Sequence, residues 1–128
     1  MENQVGEKDI KQDLEKEKRI KKEQARLSRI YKDVGRENRA IIDGLIVRAS
    51  FMRVTLEDME QDLNESGFVE LFTQSEKTPP YERERPVARL YNTVNKNYQS
   101  IIKQLSDLLP KEKAKEASDG FDEFIQYR

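Results

Sequence analysis

The chain has 128 residues, 35% of them apolar and 38% charged, with 24 Lys and Arg against 25 Asp and Glu, where ordinary domains run roughly 45–50% apolar and about 25% charged. It contains no histidine and no cysteine, which excludes disulfides, thiol nucleophiles, zinc fingers and imidazole general bases. A chain this polar and short is one domain at most, with extensions, and self-association is a natural way to stabilise its modest core.

Residues 1–24 are mostly Lys, Glu, Asp and Gln, with Ile10, Leu14 and Ile20 the sizeable apolar residues beyond Val5. They predict a charged N-terminal helical arm, partly disordered, supported by Glu/Lys pairs one turn apart. The opening MENQVGEKDI lacks the apolar stretch of a secretory signal. No apolar run approaches the ~20 residues that span a bilayer, so a soluble intracellular protein is expected. From Ala25 the pattern tightens. Leu27, Ile30, Tyr31 and Val34 form one stripe that ends at Gly35, a helix stop.

A second helix is expected from near Arg36–Asn38 to about Asn64. Ile42, Leu45, Ile46, Ala49, Met52, Leu56, Met59 and Leu63 recur at close to heptad spacing, over a length of ~40 Å. Ile41 and Phe51 lie off that stripe, and a helix apolar on more than one side has more than one partner. Gly44 sits inside it, at a cost of roughly 1 kcal/mol, with close helix packing as a reason.

Glu65, Ser66 and Gly67 stop this helix. FVELFTQ then predicts a short extended segment or β-hairpin, with Thr78, Pro79 and Pro80 turning the chain. Pro86 opens a third helix and Pro110 ends it. Val87, Leu90, Tyr91, Val94, Tyr98, Ile101, Ile102, Leu105, Leu108 and Leu109 give it a wide apolar face. Tyr91 and Tyr98, seven residues apart on that face, read as core packing rather than base stacking. The architecture predicted is all-α: long antiparallel helices with a short extended or hairpin connector, residues 25–110 forming the oligomerisation core.

Residues 111–128 form a basic tether, Lys111 to Lys115, and an acidic-aromatic tail. Phe121, Phe124, Ile125 and Tyr127 stand among Asp119, Asp122 and Glu123. They read either as a peptide that folds on a partner or as a tail tucked back on its own domain.

Charge is segregated along the chain. Residues 1–40 hold twelve bases against nine acids, and residues 57–76 hold seven acids and no base. Such blocks mean solvated faces and inter-subunit complementarity, or a nucleic-acid face. The basic candidates for DNA are Lys18, Arg19, Lys21, Lys22, Arg26 and Arg29, then Arg36 and Arg39. Candidates for subunit contact are Ile42, Leu45, Ile46, Met52, Leu56, Tyr91, Tyr98, Ile101 and Leu105. No glycine-rich phosphate loop, serine elbow or metal-ligand cluster is present in the sequence, so no enzyme, cofactor or metal is expected.

The wording RLYNTVNKNYQSIIKQLSDLLP, the lysine-rich tether after it and the GFDEF tail resemble the small subunit of bacteriophage terminase. That resemblance implies a ring of roughly eight to ten copies in the host bacterial cytoplasm, binding double-stranded viral DNA. It also implies a terminase large subunit as partner, which carries the ATPase and nuclease and is contacted through the tail. Family members place DNA-binding elements toward the N-terminus, yet residues 1–24 have too few apolar residues for a helix-turn-helix. A coiled-coil scaffold or adaptor that never touches DNA suits the Leu27–Val34 and Ile42–Leu63 stripes equally well.

Overall fold

A computed structural model describes residues 2–109, with side chains from Gly6 onward. Helix α1 spans Glu2–Ile30, a 3₁₀ turn follows at Arg36–Asn38, and helix α2 spans Arg39–Ser66. Strands β1, Val69–Phe72, and β2, Tyr81–Glu84, lead into helix α3, Pro86–Asp107. The fold is mostly helical, three helices and one short antiparallel hairpin. The charged arm of residues 1–24 runs on through Leu27 and Ile30 as one continuous helix, while Tyr31 and Val34 lie in the turn beyond it. No Gly or Pro interrupts residues 7–34, so nothing local forces a break at residue 24.

Helix α1 ends at Ile30, short of the stop expected at Gly35, which instead leads into the 3₁₀ turn. Gly35 takes φ +55° and Gly67 φ +79°, backbone settings that cost a side-chain-bearing residue about 1 kcal/mol or more. The Gly67 N–H closes on the Leu63 carbonyl at 2.8 Å, satisfying one orphan acceptor of α2. Pro86 occupies the first turn of α3, where its missing N–H costs nothing.

Helix α2 lies between α1 and α3 and packs on both. Its pairings run in opposite senses along the chain: Arg19 with Glu57 and Asp58, then Tyr31 with Arg39. The same holds on the other side, where Asp62 meets Arg85 and Glu60 meets Tyr91. Both neighbours are therefore antiparallel to α2. Leu27 of α1 and Tyr31 just beyond it, Ile42, Ile46, Ala49, Leu56 and Leu63 of α2, and Ala88, Tyr91, Tyr98 and Leu105 of α3 form one buried cluster.

The residues expected at subunit contacts are mostly inside this cluster. Ile42, Ile46, Leu56, Tyr98 and Leu105 are each at most 2% exposed, and Tyr91 is 8% exposed. Leu45, Met52 and Ile101 are half-buried against them. A neighbouring subunit could not take these side chains without opening the protomer. Heptad spacing reports that a stripe is buried, and here a helix of the same chain does the burying. The large apolar groups left exposed are others, among them Ile41, Val47, Phe51, Phe68, Val69, Leu71 and Leu90.

The connector is a hairpin with a closed neck. Val69 pairs with Glu84 and Phe72 with Tyr81 at its two ends. Arg83 stands 3.5 Å over the Phe72 ring and bonds Glu70 at 2.8 Å. At the base, the Arg85 side chain donates to the Gly67 carbonyl at 2.7 Å and to Asp62 at 2.9 Å. Its own N–H donates to the Phe68 carbonyl at 2.9 Å.

Candidate nucleic-acid interface

The core fixes which way the described side chains of α1 point. At about 100° per residue, Glu23, Leu27 and Tyr31 share one face and are buried. Lys11, Lys18, Lys21, Lys22 and Arg29 fall in a roughly 100° sector centred nearly opposite. All five are exposed. Glu7 is the single acid of residues 6–30 in that sector. The other acids, Asp9, Asp13, Glu15, Glu17 and Glu23, lie on the remaining faces. The result is a basic ridge about 27 Å long from Lys11 to Arg29 on the outermost surface of the protomer.

Beside the ridge, α1 and α2 enclose a cleft of about 390 Å³ lined by Arg19, Lys22, Glu23, Arg26, Arg29, Arg53, Val54 and Glu57. Five bases there face two carboxylates. Glu23, 8% exposed, is the hub: it pairs with Arg26 one turn on and with Arg53 Nε at 3.1 Å. Burial raises the pKa of Tyr98, and Arg53, hydrogen-bonded to its hydroxyl, opposes that shift. The buried carboxylate thus ties α1 to α2 close to α3. An ion this buried needs its partners to offset desolvation, and it has two.

The eight basic residues expected at DNA separate into three groups. Lys18, Lys21, Lys22 and Arg29 lie on the ridge. Arg29 rests its Nε on the Ala25 carbonyl at 3.3 Å, and no carboxylate within 4.0 Å of any of the four is recorded among the described residues. Arg19 and Arg26 turn inward. Arg19 holds Asp58 at 2.6 Å and Glu57 at 3.1 Å, and the bond to Asp58 pushes its pKa above the ordinary arginine value against a partial burial that lowers it. Arg36 and Arg39 lie at the α1–α2 turn, where Arg39 donates to the Tyr31 carbonyl at 2.6 Å and bridges Asp43 at 3.0 Å.

Sequence reading missed Glu23 and Arg53. A signal was present: Glu23 stands four residues before Leu27, on the stripe that enters the core. The tail residues Phe121, Phe124, Ile125 and Tyr127 lie outside the described residues.

Chemically, a ridge of flexible ammonium groups and one guanidinium suits phosphate, which needs charge and donors but no shape-specific pocket. Among the described residues no group of three His, Cys, Asp or Glu is placed to hold a metal, and no helix is long and apolar enough to cross a membrane. Compared with known protein families, with curated proteins and with solved structures, this chain matches none.

Proposed function

We propose that the protein is a non-catalytic DNA-binding subunit of a bacteriophage genome-packaging terminase, acting in the host bacterial cytoplasm. It engages double-stranded viral DNA and recruits and regulates the large ATPase-nuclease subunit. The observation that carries this reading is the ridge of Lys11, Lys18, Lys21, Lys22 and Arg29, exposed and held opposite the core. The resemblance in RLYNTVNKNYQSIIKQLSDLLP and GFDEF supplies the packaging context, the ring of roughly eight to ten copies and the large subunit as partner of the tail.

The ridge works by charge. Each ammonium that neutralises a phosphate releases a counterion, so binding weakens steeply with salt and reads little sequence. One ridge is a weak site; repeated around a closed assembly it becomes a strong one without new contacts. Arg19 and Arg26, already paired within the protomer, set the cleft wall and contribute less.

Retention on duplex DNA, measured against salt, tests the reading. Five phosphate contacts per protomer, one for each ridge base, give a log–log slope of about −4.5. Charge reversal of Lys18, Lys21 and Lys22 should abolish retention with helicity unchanged, whereas reversal of Arg36 and Arg39 should leave most of it. Undiminished binding by the Lys18–Lys21–Lys22 variant would sink the assignment. Absence of salt-dependent retention in the unmodified protein would favour the second reading, a coiled-coil adaptor. That alternative has its own support in the apolar side chains left exposed on α2, Ile41, Val47 and Phe51.

A further inference from the structure

Helix α2 has a second apolar face. The first enters the core through Ile42, Ile46, Ala49 and Leu56. Nearly opposite run Ala40, Gly44, Val47 and Phe51, all exposed. Val47 and Phe51 are each 50% exposed, and the flanking Ile41 is 64% exposed. Their spacing of four, three and four is that of successive d, a, d and a positions of a heptad seam. A Cβ built on Gly44 meets no atom within 4 Å, so the backbone there faces open space. One face of the Phe51 ring carries Lys16 Nζ, 5.1 Å from its centroid.

Charge says what covers this face and in which direction. In the same frame Asp43 takes position g and Arg48 position e. Two parallel helices bring each g beside the e five residues later on the other chain, so Asp43 meets the partner's Arg48, twice by symmetry. Antiparallel helices instead set g flank against g flank and e flank against e flank, like charge against like. Asp43 is 54% exposed and bridges Arg39 on its own helix, while Arg48 is exposed. Both are open to a neighbour.

We infer that a second copy of this chain docks on this face, α2 against α2, as a short parallel two-stranded coiled coil. Ala40 and Gly44 permit close approach, and Val47 and Phe51 fill the seam. The contact is two-fold and makes a dimer. It does not rest on the DNA reading, because its residues lie on α2 and the basic ridge lies on α1.

A chain without cysteine allows a direct test. Under mild oxidation, Ala40→Cys and Val47→Cys should each cross-link to their own counterpart, because parallel in-register helices bring both positions onto their copies. Cross-linking at one position only, or at neither, overturns the parallel seam. Arg48→Glu, and separately Asp43→Lys, should weaken the dimer about tenfold by light scattering, and the double exchange should restore it. A double variant that does not recover overturns the register, and a native mass of one chain at every concentration overturns the inference. Unchanged helicity separates loss of pairing from loss of fold. Duplex DNA retention followed in the same samples keeps this result distinct from that of the ridge.

Discussion

From Gly6 to Lys22, α1 buries no side chain, and Ile10 and Leu14 stand 60% and 52% exposed. From Glu23 to Tyr31 it sends Glu23, Leu27 and Tyr31 into the core. Both halves are rich in Lys, Arg, Glu and Gln, so composition does not separate them. Phase does: Leu27, Ile30, Tyr31 and Val34 repeat at steps a helix can bury on one side, whereas Ile10 and Leu14 are a single exposed pair one turn apart. Apart from Arg19 on Glu57 and Asp58 and Lys16 over the Phe51 ring, the first half rests on intrinsic propensity and on pairs worth about 0.3–0.5 kcal/mol each. It sits at the low end of local stability, where ligand-binding elements are found.

Four measurements sharpen or break that contrast. Truncating Leu27 to alanine should lower unfolding stability by about 3–4 kcal/mol in a urea titration, through lost burial and an unfilled cavity. Glu23→Gln comes next. It leaves Arg26 and Arg53 facing a neutral group in a largely buried site, at a cost of about 3 kcal/mol. If it cost no more than an exposed substitution, Glu23 would be ornament and the α1–α2 junction purely apolar.

The third effect is alkaline. Burial pushes the Tyr31 hydroxyl up to about 12, from the usual value near 10. Below pH 10 both folded and unfolded chains hold that proton. Between pH 10 and 12 the unfolded chain releases it first, so stability falls as pH rises through this window, by about 2–3 kcal/mol. Tyr98 is raised in the same direction, by burial first, and adds to the slope. Tyr31→Phe should flatten the loss measured by denaturant titration at successive pH values. Smallest is Leu14→Ala, expected within about 0.5 kcal/mol. A cost comparable to that of Leu27→Ala would mean the first half of α1 is covered, and the contrast would fail.

Much of this fold can be read from residue order because local signals agree with the packing. Gly67 ends α2 and Gly35 leads into the 3₁₀ turn, both at positive φ, Pro86 starts a helix, and the core faces of α2 and α3 follow their apolar spacing. The connector resolves to the hairpin that was one of two readings of FVELFTQ. What periodicity cannot carry is the identity of the burying partner. Ile42 and Tyr98 look the same in sequence whether a neighbour or their own chain covers them, and here their own chain does. Charge is harder still. Arg19 and Lys22 are both bases on the same helix, yet one turns to Asp58 and the other stays open. That difference depends on α2 lying alongside. The place of Glu23 on the buried stripe is legible, but its pairing with Arg53, thirty residues away, is not, for the same reason.

Arg85 has a consequence for how this chain tolerates change. By tying Gly67, Phe68 and Asp62 to the start of α3, it joins the two ends of the connector independently of what lies between them. Lengthening a loop whose ends are already held together costs only about 0.6 kcal/mol per doubling. Residues 73–80, exposed throughout, are therefore the natural place to insert an epitope or a fluorescent probe. They are also where this sequence can drift in length and wording while the three helices keep their register.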